Sequence, residues 1–104
     1  MKIKLLYLVG CDVCKKFMEA LDKASVEYVA IDADQNDKLA DYVEDLTGTN
    51  TYPILILEKP TQVAYFFRAD NAEQLKSRIV SDTEMVCGFF NADSMMDYLI
   101  TLLN

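Results

Sequence analysis

Histidine and tryptophan are absent from these 104 residues, and cysteine, glycine and proline are scarce at three, three and two. Without histidine, imidazole acid–base catalysis and His-ligated metal are both excluded. Three cysteines are too few for a disulfide scaffold. In a secreted chain an odd count leaves one thiol open to mispairing, so the cysteines suit a cytoplasmic setting. Basic residues number 10 against 17 acidic, a formal charge of −7 that argues against nucleic acid or an anionic membrane surface as partner. No segment reaches transmembrane length. The start of the chain up to Cys11 has the look of a lipoprotein signal. Its apolar stretch falls short of the roughly 7–15 residues such regions need, and the same residues read as a buried first strand.

Apolar residues make up 52% of the chain, enough for one well-packed domain over residues 1–104. Ile3 to Val9 is a nearly continuous apolar run, as expected of a central strand covered on both faces. Cys14, Phe17, Met18 and Leu21 follow at helical spacing. Tyr28 to Ile31 reads as a second strand and Asp32 to Asn36 as a polar connection. Leu39, Tyr42, Val43 and Leu46 form a second helical stripe, closed by Gly48 as C-terminal cap. Ile54 to Leu57 is a third buried strand, so the first half reads β-α-β-α-β with no low-complexity linker.

In the second half, Val63-Ala64-Tyr65-Phe66-Phe67-Arg68-Ala69-Asp70 is echoed by Val86-Cys87-Gly88-Phe89-Phe90-Asn91-Ala92-Asp93. Each copy runs from a strand-like into a helix-like piece. The first helix is expected to carry Leu75 and Ile79, the last Met96, Leu99, Ile100 and Leu103. Duplicated units and convergence on one strand-to-helix pattern both account for the echo.

Chemistry concentrates at Cys11-Asp12-Val13-Cys14, where the first strand gives way to the first helix. Backbone N–H groups and the helix dipole favour a thiolate there, and the second thiol lies one turn away, in reach of an intramolecular disulfide. That points to thiol–disulfide exchange. Zinc would need two more ligands from Cys87 and carboxylates. A purely structural disulfide would close a very small loop, and two core thiols packing as small hydrophobes is the plainest alternative.

With Thr51-Tyr52-Pro53 ahead of the third strand, the pattern over residues 3 to 57 resembles a glutaredoxin-type member of the thioredoxin fold. The resemblance implies an α/β three-layer architecture, a central mixed four-stranded sheet flanked by helices, here with an extra βα element. It makes Cys11 the nucleophile and Cys14 the resolving thiol. It makes Pro53 a cis proline facing them, with Tyr52 docking peptide or glutathione beside Thr51 and Lys15. Cys87-Gly88 would match the family's Gly-Gly, Asn91 to Asp93 would face the γ-glutamyl end of glutathione, and residues 59–85 would be an insertion. Cys87 would then lie near the groove or be a buried structural thiol. The chain departs from the family at Leu8, where a lysine is common, and at Asp12-Val13, usually Pro-Tyr. No bound cofactor is implied. Glutathione is the co-substrate, the partners are disulfide-containing proteins, with ribonucleotide reductase a family role, and the chain acts as a monomer.

A second registration resembles thioredoxin more closely. Gln62 to Phe67 pairs directly with the third strand, residues 71 to 80 form the closing helix, and Gly10 stands where thioredoxins have tryptophan. Two further readings stay open, a thioredoxin-fold binding module presenting Phe66-Phe67 or Phe89-Phe90, and a glutathione-assisted iron–sulfur carrier using Cys11. Cys14 opposes the carrier, because that branch has serine there.

Overall fold

Period-two alternation along three strands decides how the layers fill. The computed structural model, describing residues 1–104, contains β1 (Lys2–Tyr7), α1 (Asp12–Lys23), β2 (Val29–Asp32), α2 (Asp37–Thr47), β3 (Ile54–Glu58), β4 (Val63–Arg68), β5 (Arg78–Ile79), β6 (Glu84–Phe89) and α3 (Ala92–Leu103). Ile3 and Leu5, Leu55 and Leu57, and Ala64 and Phe66 face one side, where they bury Phe17 and Leu21 of α1 and Met95 and Leu99 of α3. Leu6, Ile54, Ile56, Tyr65 and Phe67 face the other, against Ala40 and Val43 of α2. This is the three-layer arrangement expected, with α1 and α3 on one face and α2 on the other.

The sheet is mixed, in the order β2-β1-β3-β4-β6-β5. β1 pairs parallel with β2 and antiparallel with β3. β4 pairs antiparallel with β3 across the turn at Lys59–Gln62 and parallel with β6, and β5 caps the edge antiparallel to β6. β4 therefore closes a four-stranded core, in the pairing of the thioredoxin-like registration, while the helix covering it is α3. The extra elements, residues 69 to 89, lie between β4 and α3. Residues 59–85, read from the sequence as one insertion, thus include a core strand.

The two echoed segments are neighbouring parallel strands, each followed by an asparagine cap: Asn71 accepts from the Gln74 N–H and Asn91 from the Ser94 N–H. Only the second continues. Beyond Asn91, Met95 and Leu99 at i and i+4 sink into the sheet. Beyond Asn71 the chain makes one 3₁₀ turn, Ala72–Leu75, then extends into β5, leaving Ile79 76% exposed. The helix expected to carry Leu75 and Ile79 is absent, because Lys76, Ser77 and Arg78 interrupt any stripe long enough to repay helix nucleation. In α3 the buried stripe begins at Met95, and Leu103 is exposed. Gly48 ends α2 in the left-handed conformation (φ 75°), as the cap reading requires.

Tyr42, half-exposed on α2, belongs to a polar staple. Its hydroxyl donates to Glu84 at 2.7 Å, the Tyr65 hydroxyl donates to the same carboxylate at 2.8 Å, and the rings meet edge-on at 6.5 Å. One carboxylate thus ties β6 to α2 and β4. These hydroxyls hold the Glu84 carboxyl below its ordinary range. Stability from a depressed carboxyl is present above the unfolded-state value, about 4.3, and is lost as pH falls through the lower folded-state value. Glu84→Gln is therefore expected to lower the thermal midpoint at neutral pH and to flatten its decline between about pH 5 and 3, measured by calorimetry. A decline as steep as wild type would assign the acid sensitivity elsewhere.

Candidate active site

β1 runs out at Tyr7, and Gly10, with φ 84°, turns the chain so that the Cys11 N–H reaches the Leu8 carbonyl at 3.2 Å. Cys11 is extended and caps α1. Its Sγ accepts from the Cys14 N–H at 3.2 Å, the capping role serine or aspartate usually fills. A sulfur there lies where a helix N-terminus accommodates negative charge. Both cysteines are free thiols. Cys11 is partly exposed and Cys14 fully buried. Cys14 alone among the buried residues of α1 packs with the α2-side cluster, beside Tyr52 and Ala33. Burial, and then its hydrogen bond with Cys11, pushes the Cys14 thiol up to about 12, with the Leu8 backbone and Arg68 pulling the other way. One thiol is presented and the other is held protonated, so the pair can take up an external disulfide in two steps.

The facing loop is tied down by threonines. Thr49 donates to Asp70 at 2.7 Å, and Thr51 donates to the Arg68 carbonyl at 2.8 Å. The Tyr52–Pro53 peptide is cis. The pairing of Leu6 with Ile54 sets buried Pro53 beside the end of β1, where the chain turns toward Cys11. The Tyr52 side chain points into the core, its hydroxyl donating to Glu44 at 2.8 Å, and burial together with that carboxylate pushes the phenol up. The Tyr52 carbonyl accepts from Arg68 Nη2 at 2.5 Å, whereas its N–H has no partner within the chain. Arg68 also lines a groove of about 290 Å³ that opens between α1 and the start of α3, with Val13, Lys16, Asn91 and Asp93 around it. A larger depression, about 780 Å³, is lined by Met1, Lys2 and Tyr28 at the opposite end of β1, away from the cysteines.

A family model described as Glutaredoxin matches residues 3–59, from β1 through β3 and including Cys11, Cys14 and the cis-proline loop. The chain belongs to the glutaredoxin family. It is also similar to the Gene 56 protein of Mycobacterium phage D29, 31% identical over 49 residues, an alignment covering 47% of this chain and 54% of that protein. The chain thus spans about half the length of the curated relative it matches. No solved structure gives a significant match.

Of the residues singled out in this glutaredoxin-family chain, Asn91 and Asp93 come together at the groove, whereas Lys15 lies exposed on α1 and Lys16 takes the place at the groove wall. Asn91 spends its carbonyl oxygen on capping, accepting from the Ser94 N–H at 2.8 Å and the Ser94 hydroxyl at 3.0 Å. Thr51 ties the loop to β4, and Tyr52 offers its backbone rather than its ring. Gly88 is not part of the groove. It lies buried in β6 on the α2-side face with Val86, where a Cβ would stand 2.7 Å from the Gln74 carbonyl carbon and 3.2 Å from Phe67 Cζ. Its lack of a side chain admits the 3₁₀ turn. Cys87 is also outside the groove, three strands across from β1, with the Ser77 hydroxyl donating to its Sγ at 3.4 Å. Phe67 is buried in the core and Phe90 is 79% exposed. No three His, Cys, Asp or Glu side chains converge in a metal-binding arrangement, and no helix is long and apolar enough to cross a membrane. Sequence reasoning missed Arg68. The available signal was a single cation closing the apolar run Val63 to Phe67, at the end of a strand whose other residues are buried.

Proposed function

We propose that this chain is a glutathione-coupled dithiol oxidoreductase in which Cys11 is the nucleophile and Cys14 the resolving thiol. The observation that carries this is the asymmetry of the pair: Cys11 Sγ is partly exposed on a helix N–H, while Cys14, one turn on, is fully buried. The Cys11 thiolate attacks one sulfur of a substrate disulfide, forms a mixed disulfide and expels the other sulfur as a thiolate, which takes up a proton. Cys14 then loses its proton and attacks Cys11 Sγ, forming the Cys11–Cys14 disulfide and releasing the second substrate thiol. Two electrons pass from the pair to the substrate, and two glutathione thiols restore it, leaving glutathione disulfide. No resident cofactor is needed. The groove beside Val13, with the cations of Lys16 and Arg68 and the carboxylate of Asp93, suits a small zwitterionic peptide, and the Tyr52 N–H is available to pair with an extended backbone. Protein disulfides, that of ribonucleotide reductase among them, are the proposed macromolecular substrates, and in this reading the chain works as a cytoplasmic monomer.

The test is reduction of a small glutathione mixed disulfide, with glutathione and glutathione reductase recycling the pair. Turnover that saturates with glutathione is expected, with a potential near the glutaredoxin range of about −200 to −230 mV. The direct pairing of β4 with β3 across the Lys59–Gln62 turn favours a second reading, a thioredoxin-like reductant recharged by another reductase. Failure with glutathione, turnover with thioredoxin reductase and a potential near about −270 mV would move the assignment there.

A further inference from the structure

A buried thiol must become a thiolate for the second step, and this chain has no histidine to accept its proton. Cys14 belongs to a buried cluster with Leu6, Ala33, Ala40, Val43 and Ile54, in which the polar side-chain atoms are the Tyr52 and Tyr65 hydroxyls, both spent on carboxylates. Desolvation therefore opposes the charge that the resolving step requires. The titratable groups facing this cluster are Cys11 at the cap, Tyr52 with Glu44 and the exposed Asp34 and Asp41 behind it, Tyr65 with Glu84, and Arg68. In the mixed disulfide Cys11 is no longer a free thiol. Both tyrosines are neutral and turned toward carboxylates on α2 and β6. Among these groups Arg68 is the cation.

Arg68 ends β4, and its guanidinium reaches back beneath the proline loop to the Tyr52 carbonyl at 2.5 Å. It also lines the groove beside Val13 and Phe17, the residues one before and three after Cys14. Its Nε is buried with no hydrogen-bond partner. A cation with an unused buried donor is costly in an apolar setting unless a negative charge arises nearby. Lys15 and Lys16 are exposed, where solvent screens them.

We propose that Arg68 is an electrostatic positioning residue for the resolving step, holding the proline loop through Tyr52 and stabilising the Cys14 thiolate as it attacks the mixed disulfide. Its attraction on Cys14 in the free dithiol is in the required direction. The inference rests on Cys14 being the resolving thiol.

The test uses dithiodipyridine, an uncharged disulfide insensitive to the groove's charges, with the full chain in a Cys87→Ala background. Attack by Cys11 releases one thiopyridone, and resolution by Cys14 releases the second. Arg68→Gln keeps a donor for the Tyr52 carbonyl and removes the charge. Arg68→Lys keeps the charge. Arg68→Gln is expected to slow the second release about tenfold, shifting its pH profile upward by about one unit, with the first release unchanged and Arg68→Lys close to wild type. Equal rates in the two variants, or equal slowing of both releases, would overturn the role of the charge. Cys14→Ser separates the two proposals. A second release persisting in that variant defeats Cys14 as the resolving thiol, whereas its loss there together with a wild-type rate in Arg68→Gln defeats the Arg68 inference alone.

Discussion

Cys11→Ser is expected to lose at least about three orders of magnitude in turnover of a disulfide substrate, since an alcohol at the helix cap forms no sulfur–sulfur bond. Cys14 does not substitute for it. Its thiol is fully buried, and that burial pushes it up and disfavours the thiolate an attack on an external sulfur needs. Cys14→Ser is expected to behave differently. Cys11 still attacks, and the adduct persists until a second glutathione resolves it. The mutant should therefore accumulate one glutathione per chain by intact mass and keep part of its turnover on small mixed disulfides, while losing most activity on protein disulfides. Residual turnover in Cys11→Ser with none in Cys14→Ser would reverse the two roles.

The first half of the fold was legible because its periodicities are unmixed. Ile54 to Leu57 is apolar at every position, as a central strand must be, and Cys14, Phe17 and Leu21 keep helical spacing without a break. Gly48 was readable for a stereochemical reason, because only a residue tolerant of positive φ ends a helix in that way. Val63 to Phe67 was equally clear as a strand, but not its neighbour, since pairing partners depend on contacts distant in sequence. The fate of the segment after Asn71 was not legible at all. Its asparagine cap and its Leu75–Ile79 spacing are genuine helix signals, and the chain overrides them after one turn to pair Arg78–Ile79 with β6.

At the site, the cysteine pair and the proline declared themselves through residue type and spacing. The arginine did not. Its importance comes from the bond to the Tyr52 carbonyl, sixteen residues away in sequence, and from a guanidinium whose Nε has no partner. Tyr52 was read as a docking residue through the backbone before Pro53; its N–H has no partner within the chain, while the ring is drawn inward to Glu44, a contact no local pattern announces.

Gly88, matched by sequence to the family's Gly-Gly, packs directly under the 3₁₀ turn, and its replacement is expected to have the largest effect on stability. Gly88→Ala places a methyl group against the backbone of Gln74, and backbone yields less readily than a flexible side chain. The 3₁₀ turn cannot simply lift away. The Asp70 N–H donates to Gln74 Oε1 at 2.6 Å, Gln74 Nε2 reaches the Gly48 carbonyl at 3.5 Å, and Arg78 Nη2 reaches the Leu46 carbonyl at 2.8 Å, fastening the segment to α2. The expected cost is about 2–3 kcal/mol, a fall of roughly 10–20 °C in thermal midpoint for a domain of this size. At a temperature where the variant remains folded, KM for glutathione should be unchanged, because the groove is built from α1, β4 and α3 rather than from this face of β6. A raised KM with an unaltered midpoint would return Gly88 to the substrate site. A lowered midpoint with KM intact would establish its role as close packing under the 3₁₀ turn that joins the extra strands to the core.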